Sequence, residues 1–149
     1  MTEALLATGL VEMLLFTVGR ELFALPLVCA EEAVEGLRHE PLPGMPIGLL
    51  GVARHRGTRL PVYAALSALG VPGTAADPVT LVVRTAAGRL GLIVDDVEDV
   101  IMADLSALRA VPGPKSTDPV LRGVLPWAGT LVAVCDPDAL GRACLGGKR

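Results

Sequence analysis

Few side chains in this 149-residue chain could do chemistry, and their spacing withholds most of it. Nucleophilic catalysis needs a serine or cysteine activated by a neighbouring base. The thiols are Cys29, Cys135 and Cys144, the only imidazoles are His39 and His55, and there is no G-x-S-x-G elbow. A histidine could reach Cys29 only if the fold brought it there. Inside an apolar run, Cys29 reads instead as a small buried hydrophobe. An enzyme working through Cys29 is the competing hypothesis from another class, and labelling by a thiol probe at neutral pH would reveal it. No H-E-x-x-H or C-x-x-C offers a metal site, and no P-loop or G-x-G-x-x-G is present. The expectation is no catalytic residue, no metal and no cofactor.

One acidic constellation is suggestive. Leu92-Ile93-Val94-Asp95-Asp96-Val97 resembles the first strand and acidic pair of a phosphoacceptor receiver domain, where carboxylates hold a magnesium ion, and Asp136 lies 40 residues beyond Asp96. Only 13 residues follow Asp136, too few for the two further βα units such a fold needs. The stretch between is patterned as strands with a proline-rich loop, so this reading fails.

Composition narrows the class. Hydrophobic residues make up 52% of the chain and charged residues 19%, which excludes disorder over most of its length. The net charge is −3 and only Phe16, Phe23, Tyr63 and Trp127 are aromatic, so no basic, stacking surface for nucleic acid is expected. No apolar run approaches the roughly 20 residues of a membrane-spanning helix, so no direct membrane insertion is expected. The N-terminus lacks a basic secretory n-region, and three unpaired-looking cysteines suit a reducing, cytoplasmic setting.

The elements that must position these residues come from a near-repetition. Phe23-Ala24-Leu25-Pro26-Leu27 followed by Glu31-Glu32-Ala33 parallels Leu90-Gly91-Leu92-Ile93-Val94 followed by Glu98-Asp99-Val100, at an offset of 67 residues. Gly51-Val52, Gly57-Thr58 and Val62 parallel Gly123-Val124, Gly129-Thr130 and Val134 at an offset of 72. Two copies are too few for a solenoid, so the pattern predicts two similar small units side by side. Leu14, Phe16 and Val18 alternate as strand residues do, as do Leu90, Leu92 and Val94. Gly19, Gly57, Gly88 and Gly129 stand where turns need φ > 0. Pro26 and Pro61 predict edge or bulged strands. Short helices are expected over Ala64–Leu69 and Pro137–Cys144. The fold class expected is mainly β, two pseudo-equivalent five-stranded barrels packed together with short helices. They form one domain over 10–145, with subdomains at roughly 11–70 and 79–145 and terminal strands able to cross the boundary.

With these residues in view the chain resembles CheW-type chemotaxis coupling proteins. The likeness is carried by Phe23 to Leu27, Glu32, Pro41-Leu42-Pro43-Gly44-Met45-Pro46, Gly51-Val52, Arg56-Gly57 and Leu60-Pro61-Val62, then by Gly91 to Asp95, Val97, Val100, Gly123-Val124 and Leu131 to Asp136. The resemblance implies two barrels of the Src-homology type and a non-catalytic adaptor. Such an adaptor joins the cytoplasmic tips of chemoreceptors to the regulatory domain of a CheA-type histidine kinase, in arrays where ring-type self-association can occur. The alternative is a specialised scaffold that binds receptors but not the kinase, or that serves a non-flagellar motility pathway. A helical receptor tip needs an apolar groove. The receptor-binding residues expected are Leu27, Ala30, Glu32, Ala33, Arg56, Val97 and Val100, with the Pro41–Pro46 loop nearby. Glu32 and Arg56 either contact partners separately or pair with each other. Ala53, Arg54 and His55 depart from the family pattern, as does Ala64 where an aspartate is usual, and Arg54, His55 and Arg59 are expected to make one basic loop.

Overall fold

The computed structural model describes residues 9–44, 49–65, 79–113 and 119–145. Strands dominate them: β1 (Leu10–Val18), β2 (Glu21–Pro26), β3 (Ala30–Glu35), β4 (His39–Glu40), β5 (Leu49–His55), β6 (Thr58–Ala64), β7 (Val79–Thr85), β8 (Gly88–Val94), β9 (Asp96–Asp104), β10 (Leu121–Trp127) and β11 (Thr130–Cys135). One helix, α1 (Pro137–Leu145), closes the described chain. The helix expected over 64–69 lies mostly outside the described residues.

The strands form two sheets, ordered β10-β11-β2-β1-β9 and β3-β7-β8-β6-β5-β4. Their membership does not follow the order of the two copies along the chain. The middle sheet runs from β3 to β8, and the other joins β1 and β2 to β9, β10 and β11. Each sheet therefore takes the opening hairpin of one copy of the repeat and its other strands from the other copy. The parallel pairs that close the exchange match in register: Val62 faces Gly91 in one sheet and Val134 faces Ala24 in the other. Both sequence offsets, 67 and 72, are satisfied at once by this pairing.

Local details repeat as well. Glu31 is the extra residue in β3 against Val83 and Val82, and Glu98 is the extra residue in β9 against Phe16 and Leu15. Arg56 and Gly57 take φ of 52° and 79°, and Ala128 and Gly129 take 49° and 80°. Two positive φ values make the two-residue hairpin turn whose twist suits the flanking strands. Gly51 and Gly123 are required for another reason. A Cβ there would lie 2.6 Å from the carbonyl oxygen of Glu40 or of Arg109, where a short segment crosses the hairpin.

The proline expectation is corrected at both positions, since β2 and β6 are inner strands: Pro26 ends β2, beyond its ladder to β11, and Pro61 sits inside β6. It is tolerated because the ladder to β8 begins one residue later, at Val62. Gly19-Arg20 and Gly88-Arg89, which precede the paralleled strands, are alike in residue type but not in position. Gly19 is within a turn with φ of 58°, whereas Gly88 opens β8 with φ of 135°.

β1 is buried on both faces, which hides its alternation. Leu14, Phe16 and Val18 face the core between the sheets, with Phe23, Leu25, Leu81, Leu90 and Leu92. Val11, Met13 and Leu15 face a second core with Ala24, Leu125, Val132 and Val134. Removing this apolar surface from water, at about 25 cal/mol per Å², is the main force holding the sheets together. α1 locks the assembly. Leu140 is fully buried between the sheets, the Tyr63 hydroxyl donates to the Cys144 carbonyl at 2.8 Å, and the Ala86 N–H donates to Asp138 at 2.9 Å.

Candidate functional site

Charged side chains meet at one end of the six-stranded sheet. β3 supplies Glu31 and Glu32 at its bulge; Glu32 meets the β5–β6 hairpin and Glu31 meets β8. That hairpin supplies His55, Arg56 and Thr58, and β8 supplies Arg89. Arg56 donates to Glu32 Oε1 from Nε at 3.2 Å and from its terminal nitrogen at 3.0 Å. His55 Nε2 lies 2.8 Å from the same oxygen, while Arg89 approaches His55 Nδ1 at 2.7 Å. Arg89 also donates to Glu31 Oε1 at 3.0 Å and to Thr58 Oγ1 at 2.8 Å. Thr58 in turn donates to the His55 carbonyl at 2.9 Å.

The donors assign the histidine tautomer. A guanidinium can only donate, so Nδ1 of His55 accepts, and the proton on Nε2 is given to Glu32. The result is a continuous chain, Arg56–Glu32–His55–Arg89–Glu31. Hydrogen bonds from His55 and then Arg56 hold the Glu32 carboxyl below its ordinary value. The Arg89 hydrogen bond does the same for Glu31. Both glutamates are anionic at neutral pH. What this row of side chains can do is present a fixed arrangement of charge at a hairpin tip.

The structure thus brings Glu32 and Arg56 together as a pair. It corrects the basic-loop expectation: His55 is buried, pointing inward between Arg89 and Glu32, and only Arg54 and Arg59 face outward. Arg89 and Glu31 escaped the sequence reading. The signal was available, since Glu31 belongs to the same acidic pair as Glu32, but nothing in the linear sequence ties β8 to β5.

The remaining candidates lie elsewhere. Leu27, Ala30 and Val97 are half-buried and pack against the core between the sheets. Ala33 on β3 and Val100 on β9 are exposed, Val100 at 44%, and they occupy equivalent positions in the two copies. Of the Pro41–Pro46 loop, residues 45 and 46 lie outside the described chain. Gly19, Gly57, Gly88 and Gly129 all have positive φ. Cys29 is buried, in a 3-10 turn and not in a strand. Burial pushes the Cys144 thiol up to about 11. The acidic residues of the rejected receiver reading act as anchors: Asp95 accepts from the Gly19 N–H at 2.9 Å, and Asp136 caps α1 by accepting from Asp138 and Ala139 at 3.0 and 3.3 Å.

Comparison with known proteins agrees with this architecture. A family model described as a CheW-like domain matches residues 12–144. The chain is 28% identical over 141 residues to the chemotaxis protein CheW of Rhizobium meliloti (strain 1021), covering 91% of this chain and 90% of that one. Its fold is shared with the scaffolding protein TtCheW from Thermoanaerobacter tengcongensis, at a TM-score of 0.77 and 23% identity over 87% of this chain and 91% of that one.

Proposed function

We propose, from the premise that this chain belongs to the CheW-like family, that it is a non-catalytic adaptor coupling chemoreceptor tips to the regulatory domain of a CheA-type histidine kinase. The observation that carries this reading is the Glu32–Arg56 pair, formed at the two charged positions that match the family signature and held from beneath by His55. An adaptor needs a surface whose geometry exists before the partner arrives, because ordering side chains on binding costs affinity. The chain of five charged and polar side chains supplies that order. A receptor helix would lie along the junction of the sheets, where Leu27, Ala30 and Val97 show their edges and Ala33 and Val100 flank them. Kinase contact would run from barrel end to barrel end, burying about 1,200–2,000 Å² or less.

Size-exclusion chromatography with the cognate kinase regulatory domain, and separately with a receptor-tip fragment, tests both arms. A shift with each is expected at tens of micromolar. A shift with the receptor alone would remove kinase coupling and leave a receptor scaffold, and no shift with either would remove the adaptor reading. No helix among the described residues is long and apolar enough to cross a membrane. Recruitment to an array in the cytoplasm would then depend on these contacts.

A further inference from the structure

We infer that the outer face of β4, β5 and β6 is a docking groove for an extended, acidic segment of a protein partner. A concavity of 470 Å³ there is lined by Arg38, Glu40, Leu42, Val52, Ala53, Arg54 and Arg59. Arg54 and Arg59 are directly opposite each other across the β5–β6 ladder, and both are exposed, as is Arg38. Like charges facing each other across a strand pair destabilise it. Among the described residues no carboxylate forms a salt bridge with any of the three.

The other sheet shows that the fold does not require them. The equivalent cross-strand pair in β10–β11 is Pro126 and Leu131, in the same register, two residues from the same type of turn. The same template therefore accepts an apolar pair, and the arginines are a property of one face alone. They confer an unpaired positive potential over a floor of Val52 and Ala53, with Leu42 exposed at 49%. A peptide with carboxylates on one side and apolar residues on the other fits that combination, because guanidinium forks bind carboxylates with charge-assisted hydrogen bonds. A nucleic acid fits poorly, since no aromatic residue lines the groove for stacking. A lipid surface fits poorly too, because Glu40 stands among the cations and only three are present. This inference does not depend on coupling to a receptor or kinase.

The test uses the whole chain and a fluorescein-labelled octapeptide of alternating glutamate and leucine, with the glutamine–leucine peptide as control. Fluorescence anisotropy should show saturable binding of the acidic peptide. Binding should weaken about tenfold or more in Arg54→Leu/Arg59→Leu, which copies the apolar character of the other sheet, and in Arg54→Gln/Arg59→Gln. Raising NaCl from about 50 to 300 mM should weaken it further. Amide shifts should concentrate on β4, β5 and β6. Thermal melts should show both double variants at least as stable as the parent, since a repulsive pair is gone. Equal binding by the variants, by the glutamine peptide, or no binding at all would overturn the inference. So would tighter binding of oligothymidylate or phosphatidylserine vesicles through the same arginines, which would assign the face to a different polyanion. Self-association in sedimentation that disappears with the arginines would assign it to a second copy of this chain.

Discussion

The two sheets are built on one template and filled with different chemistry. Inside the five-stranded sheet stand Met13, Leu15, Ala24, Leu125, Val132 and Val134, with Leu22 and Trp127 packed over them. The equivalent positions of the six-stranded sheet hold Thr80, Val82, Gly91, Ala53, Leu60 and Val62, with Arg89 and His55 at the corresponding end. The first interior is larger and apolar, and a hollow of 190 Å³ remains beside Trp127 and Ile101. The second is narrow: a Cβ on Gly91 would come within 2.9 Å of a Thr80 methyl. Its acidic bulge meets cations, whereas on the equivalent bulge Glu98 accepts from the Thr17 hydroxyl at 3.4 Å, and the equivalent hairpin carries Trp127 and Ala128 in place of His55 and Arg56. Duplication thus set the backbone of both halves, and divergence of a few interior residues made one end a charged, hydrogen-bonded surface.

The sharpest test of equivalence is at the shared glycines. Gly51→Ala and Gly123→Ala each push a Cβ to 2.6 Å from a backbone oxygen, where no side chain can yield. Each should cost about 2–3 kcal/mol in chemical denaturation. A large loss at one and none at the other would break the comparison. Gly91→Ala comes next, because its nearest neighbours are side-chain methyls able to shift a little. A cost of about 1–2 kcal/mol is expected there. The mirror change, Ala24→Gly, should cost about 0.5–1 kcal/mol through chain entropy and lost packing. If Gly91→Ala proves neutral, the second interior is not the narrower one.

The charged end offers smaller effects. Glu32→Arg and Arg56→Glu should each weaken partner binding by about two- to fivefold, and the double swap should restore much of it. Additive losses would show that the pair has no energetic coupling despite its 3.0 Å separation. Smallest is the response to acid. Both Glu31 and Glu32 are held below the ordinary value of 4.5. The carboxylates then contribute stability that is full above pH 4.5 and is lost as the pH falls through their lowered values. Melting temperature should fall more steeply below pH 4.5 in the parent than in Glu31→Gln/Glu32→Gln. Parallel curves would remove the two glutamates from the acid response.

The repeat, the strand-rich class and the turn glycines were legible because each is a local matter. Gly57 and Gly129 follow a residue with positive φ at the tip of a two-residue turn, and only a few residue types accept that backbone. The pairing of Glu32 with Arg56 was legible as one of two alternatives, since sequence places both near strand ends and cannot say whether those ends adjoin. His55 was misjudged because the sequence neighbours Arg54 and Arg56 are exposed, and strand alternation alone turns the residue between them inward. Arg89 was missed because it belongs to the other copy of the repeat.

By itself, then, the sequence determined where the glycine turns stand, which offsets relate the copies and which charges are available, since these depend on steric preference and on periods of two residues. Only the tertiary structure decided which hairpin joins which sheet. That choice is a matter of burying both faces of β1 and pairing β2 with β11 and β8 with β6 across the whole length of the chain. Long-range strand pairing of this kind leaves no local trace, because either copy's hairpin would satisfy the same alternating pattern. The exchange carries Arg89 from β8 to His55 on β5, so the charged end exists only once both copies have folded together.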